Sequence, residues 1–178
     1  MSVGTLVPVE EYLGTAYHPD VEYVDGVIVE RNVGDYLRSK VQGNVVFAFQ
    51  SKYPDIEVLP EMRSMITGTK YRIPDVTVLL RPPATRFLID AAYIAIEILS
   101  YGDDMSHVVE KLEEYAAKGV ASIWLIDPRL RRMHVYMDGN LLQVTDKFAT
   151  RDGIELTREE IFRRLDHLDP LGAPHAAT

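Results

Sequence analysis

Apolar positions change their spacing along this chain, and the changes separate strands from helices. Val21 to Val29 is rich in β-branched residues on both sides of Asp25-Gly26, which predicts a hairpin with a two-residue turn. A short helix is expected before it, from Pro8 to Leu13. From Asp35 to about Lys52, Leu37, Val41, Val45, Ala48 and Phe49 recur at helical spacing; Asp35 is placed to cap that helix and Gly43 weakens it. A strand is predicted around Ile56 to Met65, followed by two apolar runs, Ile73 to Leu80 and Tyr93 to Leu99. Met105 to Lys118 presents Met105, Val108, Val109, Leu112 and Tyr115 along one helical stripe, with Asp103 or Asp104 as cap and Gly119 as stop. The remaining elements are a strand over Ser122 to Ile126, a hairpin joining Met133–Met137 to Leu141–Val144 through Asp138-Gly139-Asn140, and a short helix from Thr157 to Leu165.

Arg81 to Ala92 is too short for a crossover helix and contains Pro82-Pro83, so the two apolar runs are expected to pair antiparallel. Tyr93 to Ile126 reads instead as strand, helix, strand, a right-handed parallel crossover. The pattern gives a mixed α+β (α/β) architecture with a mixed central sheet flanked by helices. One domain is expected over residues 1–165, with a disordered tail over 166–178, since no linker or repeat divides the chain.

Composition narrows the function classes. With 178 residues, 47% apolar and 26% charged, the chain is long enough for a core. It has no cysteine, which excludes disulfides and thiolate metal sites and leans towards a reducing compartment. Neither a signal pattern nor a membrane-length apolar run is visible, so a cytoplasmic protein with no membrane partner is expected. The net charge of −8 argues against a strongly basic nucleic-acid binder while leaving room for local patches such as Lys70 with Arg72, or Arg163 with Arg164.

Each of the two apolar runs carries one acid, Asp75 in the first and Glu97 in the second. A carboxylate in such a run is costly to bury unless it is paired, hydrogen-bonded or metal-bound. Antiparallel pairing brings both acids to the same rim of the sheet, where two unscreened carboxylates repel and one is driven to take a proton. A divalent ion resolves that conflict; magnesium, or manganese in its place, prefers one or two carboxylates with waters and phosphate oxygens. Lys111 lies near the edge of the buried helical stripe, within reach of the acids through its flexible stem. By position alone it is a snorkelling lysine paired with Glu110 or Glu114. The acids also admit a structural reading, Asp75 tied to backbone amides after Pro74 and Glu97 paired with an arginine such as Arg72.

The order Ile73-Pro74-Asp75-Val76, Ile96-Glu97-Ile98-Leu99-Ser100, Lys111 with Tyr115 and Gly119-Val120, then Trp124-Leu125-Ile126-Asp127-Pro128 resembles the Uma-two family of bacterial restriction-endonuclease-like proteins. Glu10 to Leu13 and the Glu22-to-Gly26 hairpin match that family's opening, and the likeness runs from about Val9 to Leu142. It implies a restriction-endonuclease-like core of the PD-(D/E)XK superfamily and a magnesium-dependent endonuclease, a hydrolase cutting DNA phosphodiesters. Asp75 and Glu97 match the metal-binding acids, the Ile98 carbonyl the main-chain ligand, and Lys111 a catalytic lysine moved to the helix; Leu99 stands where the superfamily lysine usually falls. Glu22 matches an acid of the family opening, although a hairpin glutamate is more often solvated. Glu61 is within range as an outer ligand, although an exposed alternating residue is the better expectation.

Other signals are set aside. The five histidines show no zinc spacing, Ser100 has no base beside it and suits a turn, and Trp124 reads as core. The rival to an endonuclease is a catalytically inactive binding or assembly module on the same fold. Edge strands that need cover, and the need to reach both strands of a duplex, make a homodimer the expected assembly.

Overall fold

The computed structural model describes residues 6–32 and 34–165. Its centre is a six-stranded sheet ordered β10-β9-β8-β7-β6-β3. The strands are β3 (Glu57–Pro60), β6 (Val76–Leu79), β7 (Ile94–Ile98), β8 (Ser122–Asp127), β9 (Arg132–Met137) and β10 (Asn140–Val144). The β6–β7 pair is antiparallel, with Val76 opposite Ile96, and β7 runs parallel to β8 through the helix α3 (Met105–Lys118). Both pairings follow from connection length: the short 80–93 link returns directly, whereas the 99–121 link holds a helix.

Side chains of β7 alternate between two cores. Ile94, Ile96 and Ile98 pack with Val41, Val45 and Phe49 of the helix α2 (Tyr36–Lys52), joined by Trp124 of β8. Trp124 stacks on Phe148 at 4.5 Å between ring centroids, so the single tryptophan is core. Ala95 faces the opposite way, against Val108, Leu112 and Tyr115 of α3. Glu97, two residues on from Ala95, shares the α3 face.

Three features depart from the sequence reading. The predicted Ile56–Met65 strand is two strands in different sheets, β3 and β4 (Ser64–Thr67), broken at Glu61, whose φ of 52° is left-handed. A second, antiparallel sheet ordered β2-β1-β5-β4 stands beside the first; it holds the predicted hairpin, β1 (Val21–Val24) and β2 (Val27–Glu30), together with β5 (Lys70–Arg72). Its β1–β5 pairing sets Tyr23 opposite Tyr71, 48 residues further along, which no local pattern announces. A small pair, β11 (Lys147–Ala149) with β12 (Glu155–Thr157), leads into α4 (Arg158–Ile161). This helix is shorter than the predicted Thr157–Leu165, with Thr157 as its N-cap in a capping box with Glu160. The first helix, α1, covers Val9–Gly14. The tail predicted over 166–178 lies outside the described residues.

Candidate active site

Asp75, Glu97 and Lys111 line one cavity of about 300 Å³, together with Glu22, Arg31 and Arg38. Each arrives by a separate route. Asp75 immediately precedes β6 and Glu97 is the fourth residue of β7, so continuing the Val76–Ile96 register by one step sets them opposite. Asp75 is 1% exposed, and its Oδ2 accepts a hydrogen bond of 2.7 Å from the Ile98 backbone N–H. The crossover helix carries Lys111 back over this end of the sheet. Its Nζ lies 2.9 Å from both Glu97 Oε1 and Glu22 Oε1.

The lysine therefore makes neither of its anticipated contacts on its own helix. Glu114 is taken instead by Arg72, through Nε at 2.6 Å and Nη2 at 3.1 Å, and by Lys70. Nor does Arg72 pair with Glu97. Its Nη1 lies 3.0 Å from Glu22 Oε2, and the Ile73 N–H donates to Glu22 Oε1 at 3.0 Å. Glu22, expected to be solvated, is 3% exposed because the second sheet folds β1 against this end of the first. Glu61 lies not on a strand but in the turn after β3, half-exposed, 3.5 Å from Arg31. It is not among the cavity-lining residues.

Four residues joined the site without being foreseen. Arg31 donates to Asp75 Oδ1 at 2.9 Å, and Arg38 reaches both oxygens of the same carboxylate, with Nη2 close on Oδ1 and Nε 3.4 Å from Oδ2. Gln42, one helical turn beyond Arg38, donates to the Asp75 carbonyl at 2.8 Å. Tyr115, counted as part of an apolar stripe, donates its hydroxyl to Glu97 Oε1 at 2.6 Å. The sequence did signal that a buried Asp75 needed a partner, and Arg38 and Gln42 at i and i+4 form a polar stripe on α2 that could have supplied it.

The electrostatics reflect crowding of like charges. Burial, then the neighbouring Asp75 and Glu22 carboxylates, push Glu97 up to about 7 even though Lys111 and Tyr115 pull it down. Burial works against Glu22 as well, yet Lys111, Arg72 and the Ile73 N–H hold it below the usual carboxylate range. For Lys111, burial is outweighed by Glu97, Glu22 and Asp75, which raise it above its ordinary value. Tyr115 is raised far above its ordinary value by burial and by Glu97, so it remains a donor. Two carboxylates thus share one ammonium, and Glu97 is the one left short of positive charge.

An acid pair at the end of an antiparallel strand couple, with a lysine from the crossover helix above it, sits in a restriction-endonuclease-like fold. The crystal structure of a putative nuclease of the DUF820 group from Anabaena variabilis matches it with a TM-score of 0.76 at 20% identity, covering 88% of this chain and 97% of that one, a likeness of fold. The DrdV–DNA complex seen by cryo-electron microscopy overlaps only weakly, with a TM-score of 0.33 at 14% identity, over 70% of this chain and 9% of that one. No curated protein matches the sequence. The profile of the Uma2 family, described as putative restriction endonuclease, matches residues 9–169, and the chain belongs to that family. Among the described residues no helix is long and apolar enough to cross a membrane.

Proposed function

We propose that this protein is a magnesium-dependent endonuclease that hydrolyses DNA phosphodiester bonds in the cavity at the end of β6 and β7. The observation that carries the reading is the convergence of Asp75, Glu97 and Lys111, from two strands and a helix, on one solvent-connected space. Among the described residues no three acids or histidines form a ready-made cage. Two carboxylates completed by water are nevertheless what Mg²⁺ prefers, and these hard oxygen donors suit Mn²⁺ equally. Glu97, raised by burial and then by its acidic neighbours, is electrostatically short of a cation. The donor set fits, with Arg31 and Arg38 as competitors for Asp75.

Asp75 and Glu97 would hold the ion, aided by the Ile98 carbonyl. When bound, it would supply an activated water and neutralise charge on the phosphoryl oxygens. Lys111 orients the attacking water or stabilises charge developing on the phosphate, with Glu22 fixing its ammonium and Arg72 fixing Glu22 in turn. Tyr115 holds the Glu97 carboxylate in one orientation. A duplex has two strands to cut, and a second copy of the chain is the partner that brings a second site.

Purified protein with supercoiled plasmid and Mg²⁺ or Mn²⁺ is expected to cleave, and to stop on addition of chelator. Glu97→Ala and Lys111→Ala are each expected to lower the rate at least ~100-fold; wild-type rates in Glu97→Ala would falsify the mechanism. The guanidinium groups on Asp75 favour a second reading, a binding module without turnover. Calorimetry showing no heat with Mn²⁺, together with intact plasmid, selects it.

A further inference from the structure

Two arginines hold Asp75 in the cavity; Arg31 has a second acid in Glu61 at 3.5 Å, whereas the side-chain bonds of Arg38 go to Asp75. We propose that Arg38, seconded by Arg31, is a phosphate-binding side chain resting on Asp75 in the free protein, so that a nucleic-acid phosphate and a divalent cation are taken up together. This rests on the metal-dependent reading and adds to it the ligand of the arginines and the order imposed on the site.

Three observations support it. A guanidinium fork that matches a carboxylate matches a phosphate equally well, and Arg38 places both Nε and Nη2 on Asp75. The two arginines reach Asp75 on long, flexible side chains from outside the acid-bearing strands: Arg31 follows β2 and Arg38 lies in the first turn of α2. Ser100 lines the same cavity, nine-tenths buried, and its hydroxyl has no hydrogen-bond partner among the described residues, a polar group left unsatisfied at the edge of the site.

The charge balance makes the two ligands interdependent. Glu22, Glu30, Asp75, Glu97, Asp103 and Asp104 line the cavity against Arg31, Arg38 and Lys111. A phosphate entering alone meets this excess of carboxylates. A cation entering alone must displace the guanidinium groups from Asp75. Each ligand removes the obstacle to the other, and such coupling is reciprocal.

The test uses Mn²⁺ alone in calorimetry, and a short fluorescent duplex followed by stopped-flow anisotropy before turnover, with and without Mn²⁺. Arg38→Ala is expected to bind Mn²⁺ about ten-fold more tightly and the duplex about ten-fold more weakly than wild type, and to lose the increase in DNA affinity that Mn²⁺ gives the wild type. Should Arg38→Ala fail to fold, Arg31→Ala is expected to shift both affinities in the same directions. A folded variant with wild-type affinities for both ligands overturns the proposal and leaves the metal reading intact. Absence of Mn²⁺ binding in wild type and in both variants overturns the two-acid metal site as well.

Discussion

Glu97 and Lys111 have opposite needs at the same distance. The carboxylate is buried beside two others, so its protonated form is favoured until about pH 7, well above its ordinary value. Because the folded value is raised, the folded state binds the proton more tightly than the unfolded chain does. Stability from this group is therefore present below about pH 4.5 and is lost as the pH rises through about 7, a change on the order of 3 kcal/mol. Glu22 and Glu114 are shifted downwards, so their contribution disappears only below the ordinary carboxylate range. His134 is lowered by burial and acts in the opposite sense near neutrality, which a comparison with a variant cancels. In chelator, urea midpoints of wild type are expected to fall relative to Glu97→Gln between about pH 5 and 7; parallel profiles would show that Glu97 titrates normally. Removing the ammonium has a different signature. Lys111→Met leaves Glu22 and Glu97 without their shared partner and is expected to lose about 3 kcal/mol near pH 8. The loss should shrink near pH 5, where Glu97 can take up a proton instead.

At the scale of elements, the site depends on how α3 begins and ends. Asp104 accepts from the Ser106 N–H at the N-cap, and Gly119 closes the helix at a φ of 93°. Both signals were readable, and the helix spans Met105–Lys118 as the stripe predicted. Asp104→Ala removes the N-cap acceptor and is expected to lower the urea midpoint of unfolding. Lys111 lies well inside the helix, held by Glu22 and Glu97, so cleavage should persist in that variant; a collapse of activity would show that the first turn itself takes part. Less was legible on β1. Glu22 lies beside a turn that a sequence reader expects to be exposed, yet it is buried among Arg72, Lys111 and the Ile73 N–H. The same holds for Ile56 to Met65, whose apolar run conceals a left-handed turn at Glu61 that splits it between two sheets.

For the whole molecule, assembly is the next measurable consequence of the proposed function. A dimer presenting two cavities to a duplex is expected to sediment at twice the chain mass and to produce linear plasmid alongside nicked circles. A single-chain mass, with nicked circles accumulating first, would mean that each copy acts alone. The family and the mixed fold were readable in the order of short motifs, because strand and helix periods and turn residues are local properties. The acid pair was readable too, since a charge in an apolar run stands out and a short connection dictates antiparallel pairing. The partners of those acids were not. Arg31 and Arg38 reach Asp75 from 44 and 37 residues away, and Tyr115 meets Glu97 across the packing of α3 on the sheet. The sequence by itself determined which elements form and which charges must be buried. Tertiary structure decided which cation answers each buried carboxylate, because that choice depends on how two sheets and two helices close on one another, and no spacing along the chain encodes a distance between segments so far apart.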